Sequence, residues 1–158
     1  MLAQSEVSLH LYDAVKFFHI LMAIIWVGGA ITIQFFAVRA IKAGPDHMTH
    51  FASVVHEIGN KLFIPASGIL FLLGLWMAFG WVGWPVWIWI GVAGFAATFI
   101  TGIFFLGPES GRLSKMLVDP GPAAPETVSS LKRILAISRI DLAVLIVVVW
   151  DMAYKPWA

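Results

Sequence analysis

The stretch KFFHILMAIIWVGG, residues 16–29, sets a lysine and a histidine three residues apart inside an apolar run. An ionisable group at membrane depth is a functional-site hypothesis by default, because hydrocarbon solvates neither charge nor polar hydrogen. On a helix, Tyr12, Lys16, His19, Met22 and Trp26 follow one stripe at three- and four-residue steps. This is the polar stripe of the segment, so it is expected to face a protein interior. With Tyr12 marking the outer boundary, His19 lies about 10 Å below it, at ~1.5 Å per residue. Lys16 can snorkel back to water; the shorter imidazole cannot. His19 is therefore either a metal ligand or a neutral ring hydrogen-bonded to a neighbouring helix.

Other groups are expected at the same depth. A closing apolar run brings Asp151, Met152 and Lys155 to the outer half, and Met77 reaches it from the second run. His19, Met22, Met77, Asp151 and Met152 are thus expected around one outer-half cavity, with Lys16 and Lys155 above it. Imidazole and thioether donors suit Cu(I).

The remaining polar residues favour blander roles. His47, His50 and His56 fall on the opposite side of the bilayer, His56 about 25 Å or more from His19, so a bis-histidine haem is not supported. On a helix starting at Pro45, His47 and His50 share a face and His56 points away, which is not the convergent set that zinc needs. Arg139 and Asp141 are two residues apart and do not face each other on a helix. Each is expected, as a structural polar group, to pair across the bundle or to cap a neighbouring helix end, with Glu57, Lys61 or Glu109 as candidate partner. Pro65 is expected to kink its helix and to free the carbonyl of Lys61.

These residues need elements that cross a membrane. The 158-residue chain is 60% hydrophobic and only 12% charged, with a mean hydropathy of +0.89; soluble domains carry about twice that charge. Apolar runs at approximately 14–38, 61–81, 85–106 and 134–154 each approach the roughly 20 residues of a crossing. They predict an all-α integral membrane four-helix bundle forming one domain over residues 1–158. Residues 44–60 read as an extension of the second span, GRLSKMLV as a short surface helix. A stripe of Gly91, Gly94, Thr98, Thr101 and Gly102 lets the third span approach its neighbours closely.

Charge sets the expected direction. Arg39, Lys42, Lys61, Arg112, Lys115, Lys132 and Arg133 flank the two long connections, against Lys16 and Lys155 at the other end. The long connections are expected in the cytoplasm and both termini outside, in a bacterial inner membrane. A net charge of +1 leaves no footprint for nucleic acid. With no cysteine, disulfides, iron–sulfur clusters and covalent c-type haem are excluded.

Lys16-x-x-His19 followed by Trp26-x-x-Gly29 resembles the opening helix of HemJ-type protoporphyrinogen oxidases and the related copper-resistance D (CopD) membrane domains. NKLFIPASGILFLLG is similar to the second helix of that superfamily, with Pro65 and Gly74 in place. SRIDLAVLIVVVWDMAYKPW resembles its closing helix, through Arg139, Asp141, Lys155 and Pro156. WIWIGVAGFAATFITG lacks the lysine and histidine of the HemJ third helix, so the chain looks more like a CopD-like branch. The resemblance implies a four-helix bundle binding haem b, with His19 as axial ligand and Trp26 beside the cofactor.

Three functional readings stand. The first is a haem-b-binding membrane protein with a redox or electron-transfer accessory role. The second is a copper-binding or transport protein using His19 and the methionines. The third is a cofactor-free subunit of a larger membrane complex or homodimer, in which exposed tryptophans at 81, 84, 87 and 89 serve docking or lipid anchoring.

Overall fold

The computed structural model describes residues 2–155, and side chains from residue 6 onward except that of Pro45. Pro156, part of the closing-helix resemblance, lies outside the described residues. The chain folds as six α-helices: α1 (Leu2–Ala43), α2 (Pro45–Ile58), α3 (Ile64–Met77), α4 (Val86–Thr101), α5 (Gly107–Met116) and α6 (Pro125–Tyr154). Among the described residues there is no strand, as expected where every buried backbone group must be satisfied within its own segment.

Three of these elements run on as longer rods. Five-residue π-helical turns at Gly59–Phe63 and Ala78–Val82 join α2 and α3 and extend them, and a third at Gly102–Leu106 joins α4 to α5. The result is three helices long and apolar enough to cross a membrane, Glu6–Ala43, Asp46–Val82 and Val86–Met116. Helix α6 is the fourth rod, about 45 Å at 1.5 Å per residue, and it carries Arg139, Asp141 and Asp151 along its length. The segment after Gly44 is the expected extension of the second span. GRLSKMLV differs from expectation: residues 107–116 continue the third span rather than forming a separate surface helix.

Two glycines make the sharp reversals. Gly44 sits at φ 109 between α1 and α2, and Gly83 at φ 77 in the hairpin between the second and third rods, both conformations that a Cβ resists. Pro45 follows Gly44 at the first position of α2, where its missing N–H has no partner to lose. Pro65 is likewise accommodated without a break. The π turn before it lets the Ile64 N–H reach back to the Gly59 carbonyl, so the backbone is rerouted one residue wider.

Helix α1 packs on α3 and α4 on α6, and α1 also touches α6. The apolar interior is tiered. At the connection end, Ala40, Met48, Ala52, Leu113 and Leu117 pack together. Trp26, Leu70 and Leu145 form the middle tier, with Phe95 packed against them. At the hairpin end, Ala78, Trp87 and Ile88 meet Met152. Small residues bring α4 and α6 together as the sequence predicts, since Met152 occupies the space a Cβ on Gly91 would need and Val148 does the same at Gly94. Phenylalanines 17, 18, 35, 36 and 104 stand exposed on the outer faces, where lipid rather than water is their solvent.

Candidate functional site

His19 is positioned by α1 against a bare stretch of α3. Its Nδ1–H donates a hydrogen bond of 2.9 Å to the Leu70 carbonyl, and its Cε1 lies 3.0 Å from where a Cβ on Gly74 would stand. Leu70 and Gly74 are one turn apart, so the ring lies in a groove opened by the missing side chain. The tautomer is thereby fixed, with Nε2 left as the acceptor nitrogen, the arrangement of a metal-ligating histidine. His56 repeats the arrangement at the other end of the bundle. Its Nδ1–H donates 3.2 Å to the Gly107 carbonyl and its Cε1 rests 3.0 Å from the Cβ position of Gly111, but its Nε2 accepts from Asn60 Nδ2 at 3.3 Å.

Of the other residues expected around His19, Met22 and Met152 belong to different packing tiers. Lys16 is exposed, its amine 5.8 Å from the Tyr12 ring, which meets Trp81 edge-on. Met22 packs in the Trp26–Leu70–Leu145 tier, whereas Met152 is inserted at Gly91 in the Trp87–Ile88 tier. Met77 ends α3 and is half-buried. Lys155 caps α6 in the left-handed conformation, with its amine 4.9 Å from the Trp87 ring. Trp87 is buried rather than exposed as expected; Trp89 is the exposed one of the pair. Asp151 is 1% exposed, and neither carboxylate oxygen has a hydrogen-bond partner among the described residues. The physical cause of the dispersal is the glycine pattern: Gly74 lets α1 close on α3, and Gly91 lets α6 close on α4.

A cavity of about 410 Å³ lies instead between the middle tier and the connection end. Trp26 stands at its inner limit beside Leu145 and Thr98, and Met48, Phe51, Ala52 and Leu113 border it from α2 and α5. His19, Lys16, Met77, Met152 and Lys155 are not among its lining residues, so Trp26 serves a different space from the one expected. Two of the three π turns border it, through Gly59, Asn60 and Phe63 and through Gly102, Ile103 and Leu106. Widened turns of this kind recur at functional sites because they displace backbone and side chains from regular packing.

The polar part of the lining separates into satisfied and unsatisfied groups. Thr98 Oγ1 donates to carbonyls of its own helix, as does Ser67 Oγ. Gln34 Nε2 donates 2.7 Å to Ser138 Oγ, tying α1 to α6. His56 and Asn60 are engaged as described. Asp141 lines the cavity, and its carboxylate makes no hydrogen bond or ion pair among the described residues. The structural pairs expected for Arg139 and Asp141 therefore do not form. Lys61 pairs with Glu57 at 2.6 Å and Arg112 with Glu109 at 3.7 Å, while Arg139 is exposed on another face of α6.

On the outside of α2, His47 and His50 are exposed and His56 is turned toward α5. Among the described residues no three of His, Cys, Asp or Glu gather closely enough to hold a metal ion. The cavity escaped the sequence reading because no single residue marks it. The signal, in retrospect, is a coincidence of small residues at one depth: Gly59, Gly102, Ala30 and Ala37 on three different rods.

No curated protein and no solved structure matches the chain. One family model does, described as "Predicted integral membrane protein (DUF2269)", and it aligns over residues 13–156. The match takes in all four rods, their connections and every residue that lines the cavity, so the chain belongs to this family of predicted integral membrane proteins.

Proposed function

We propose that the protein is a binding protein of the membrane interior, whose cavity takes up a membrane-soluble, mainly apolar molecule. One observation carries this reading: about 410 Å³ of space lined by all four rods, whose contacts elsewhere close tightly on glycine. Protein interiors are packed like organic crystals, and voids larger than a water are few. A volume of this size, apolar with a few polar groups, matches ligand sites of roughly 300–1,000 Å³. The charge bias supports an orientation with this end of the bundle in the cytoplasm and both termini outside, in a bacterial inner membrane. A binding subunit that works with other membrane proteins is the natural form of such a chain.

The test fills the cavity. A Cβ on Gly102 would meet nothing within 4 Å, so Gly102→Phe is tolerated by its own neighbours while occupying the space. Purified protein is expected to enhance the fluorescence of the neutral apolar probe N-phenyl-1-naphthylamine saturably, and the variant to bind it at least 10-fold more weakly. Equal binding by a folded Gly102→Phe would overturn the reading.

A second reading is haem b held at His19, with a redox or electron-transfer role. The Nδ1–H bond to Leu70 supports it, because it leaves the lone pair of Nε2 available as a metal ligand. The packing does not fit as it stands: the ring edge fills the hollow at Gly74 and the cavity stops short of it. Purified protein with a Soret band that His19→Ala abolishes would favour this reading; a colourless protein from haem-replete cells would end it. Copper is less well supported, since Met22 and Met152 belong to separate tiers.

A further inference from the structure

The ionisable groups of the cavity indicate which class of molecule it takes. Asp141 is the one carboxylate on its wall, and no lysine or arginine lines it. The imidazole of His56 already donates through Nδ1 and accepts through Nε2. Gln34 gives one of its two amide hydrogens to Ser138, and its carbonyl oxygen remains as a second acceptor on the wall. The rings of Trp26, Phe51, Phe63 and Phe99 make up much of the rest of the wall. Asp141 is half-buried on this wall without a cationic partner, and aromatic faces attract cations through their quadrupoles. An anionic headgroup would meet repulsion from Asp141 and no compensating cation.

The geometry points to a lipophilic cation as the ligand, its charge set beside Asp141 and its apolar body against the aromatic wall. This rests on the cavity being the binding site. A membrane-soluble cation arrives already concentrated in the bilayer. It also supplies the counter-charge that the four rods withhold, since Arg39, Lys61, Arg112 and Arg133 all stand outside the lining.

The experiment measures binding of tetraphenylphosphonium, a permanent cation, to the full chain in nanodiscs by equilibrium dialysis. Its anionic counterpart of nearly equal shape, tetraphenylborate, and neutral N-phenyl-1-naphthylamine serve as comparison probes. The phosphonium is expected to bind saturably and the borate at least 10-fold more weakly. Asp141→Asn is expected to weaken the phosphonium at least 10-fold and leave the neutral probe within 2-fold; Asp141→Glu, which keeps the charge, should retain the phosphonium within about 3-fold. Binding of the borate as tightly as the phosphonium, or an Asp141→Asn protein that holds the phosphonium like wild type, would overturn the inference while the cavity reading stood. Wild-type protein that binds none of the three probes would remove both.

Discussion

The imidazole of His19 lies against the backbone of Gly74, its Cε1 3.0 Å from the missing Cβ, while its Nδ1–H holds the carbonyl one turn earlier. His56 stands in the same relation to Gly111 and the Gly107 carbonyl. Two histidines at opposite ends of the bundle thus pin one rod to another by the same device. Each needs a glycine because the ring occupies the volume of a methyl group.

This relation makes a contrast among glycines. Gly74→Ala and Gly111→Ala insert a methyl against a ring held by its own hydrogen bond. Both are expected to destabilise by about 1–3 kcal/mol, the usual range for overpacking. Gly68→Ala, on the same helix as Gly74, meets nothing within 4 Å and is expected to stabilise by about 0.5–1 kcal/mol through lower unfolded-chain entropy. Thermal unfolding of the three variants in one detergent checks the ranking. Equal shifts at Gly68 and Gly74 would refute the packing argument.

The rods were legible in the sequence because length and hydropathy are additive along a chain. Twenty apolar residues remain twenty wherever they pack, and a Gly–Pro pair at 44–45 marks a reversal by its own backbone chemistry. The α4–α6 seam was legible for a similar reason, since Gly91 and Gly94 recur at helical spacing. Depth alone leaves open the rotation of each rod, and so which side chains share a tier: Met22 packs with Trp26 and Leu70, Met152 with Trp87 and Ile88. The π turns were equally hidden, because an extra residue in one turn arises from packing between rods rather than from any local signature. Asp141 read as half of an ion pair across the bundle; in three dimensions the candidate cation, Lys61, pairs with Glu57 on its own helix.

Asp151 presents a cost that a substitution can relieve. Both oxygens are buried without partners among the described residues. An unsatisfied buried polar group costs about 1–3 kcal/mol. Asp151→Asn removes the formal charge at almost constant volume and is expected to raise the thermal midpoint by roughly 2–4 °C for each kcal/mol recovered. A fall in the midpoint would mean that the carboxylate has a cationic partner in the membrane, with Lys155 the first candidate for a double-mutant cycle.

Glu57 and Lys61 form the opposite case, an ion pair on a fully exposed helix face. The Lys61 ammonium donates 2.6 Å to the Glu57 carboxylate one turn away on the same helix. Exposure and salt screen such a pair. Glu57→Gln is therefore expected to leave the thermal midpoint at pH 7 within experimental error. Any effect should be largest at low ionic strength, and a shift of several degrees in 0.15 M salt would count against the exposed geometry.

The absence of native cysteine makes the direction of the bundle measurable with single introduced thiols. Ser53 is exposed on α2 at the connection end, and Glu6 is exposed near the start of α1 at the other. Seven basic residues flank the connections and two the opposite end. Such a bias is expected to leave the richer side in the cytoplasm, because retention of lysine and arginine during insertion sets the orientation of short loops. In intact spheroplasts, a membrane-impermeant maleimide is expected to label Glu6→Cys, and to label Ser53→Cys only after lysis. The reverse pattern would put the termini in the cytoplasm and open the Asp141 cavity toward the outside. A ligand from the cell interior would then have to cross the Trp26 tier to reach it.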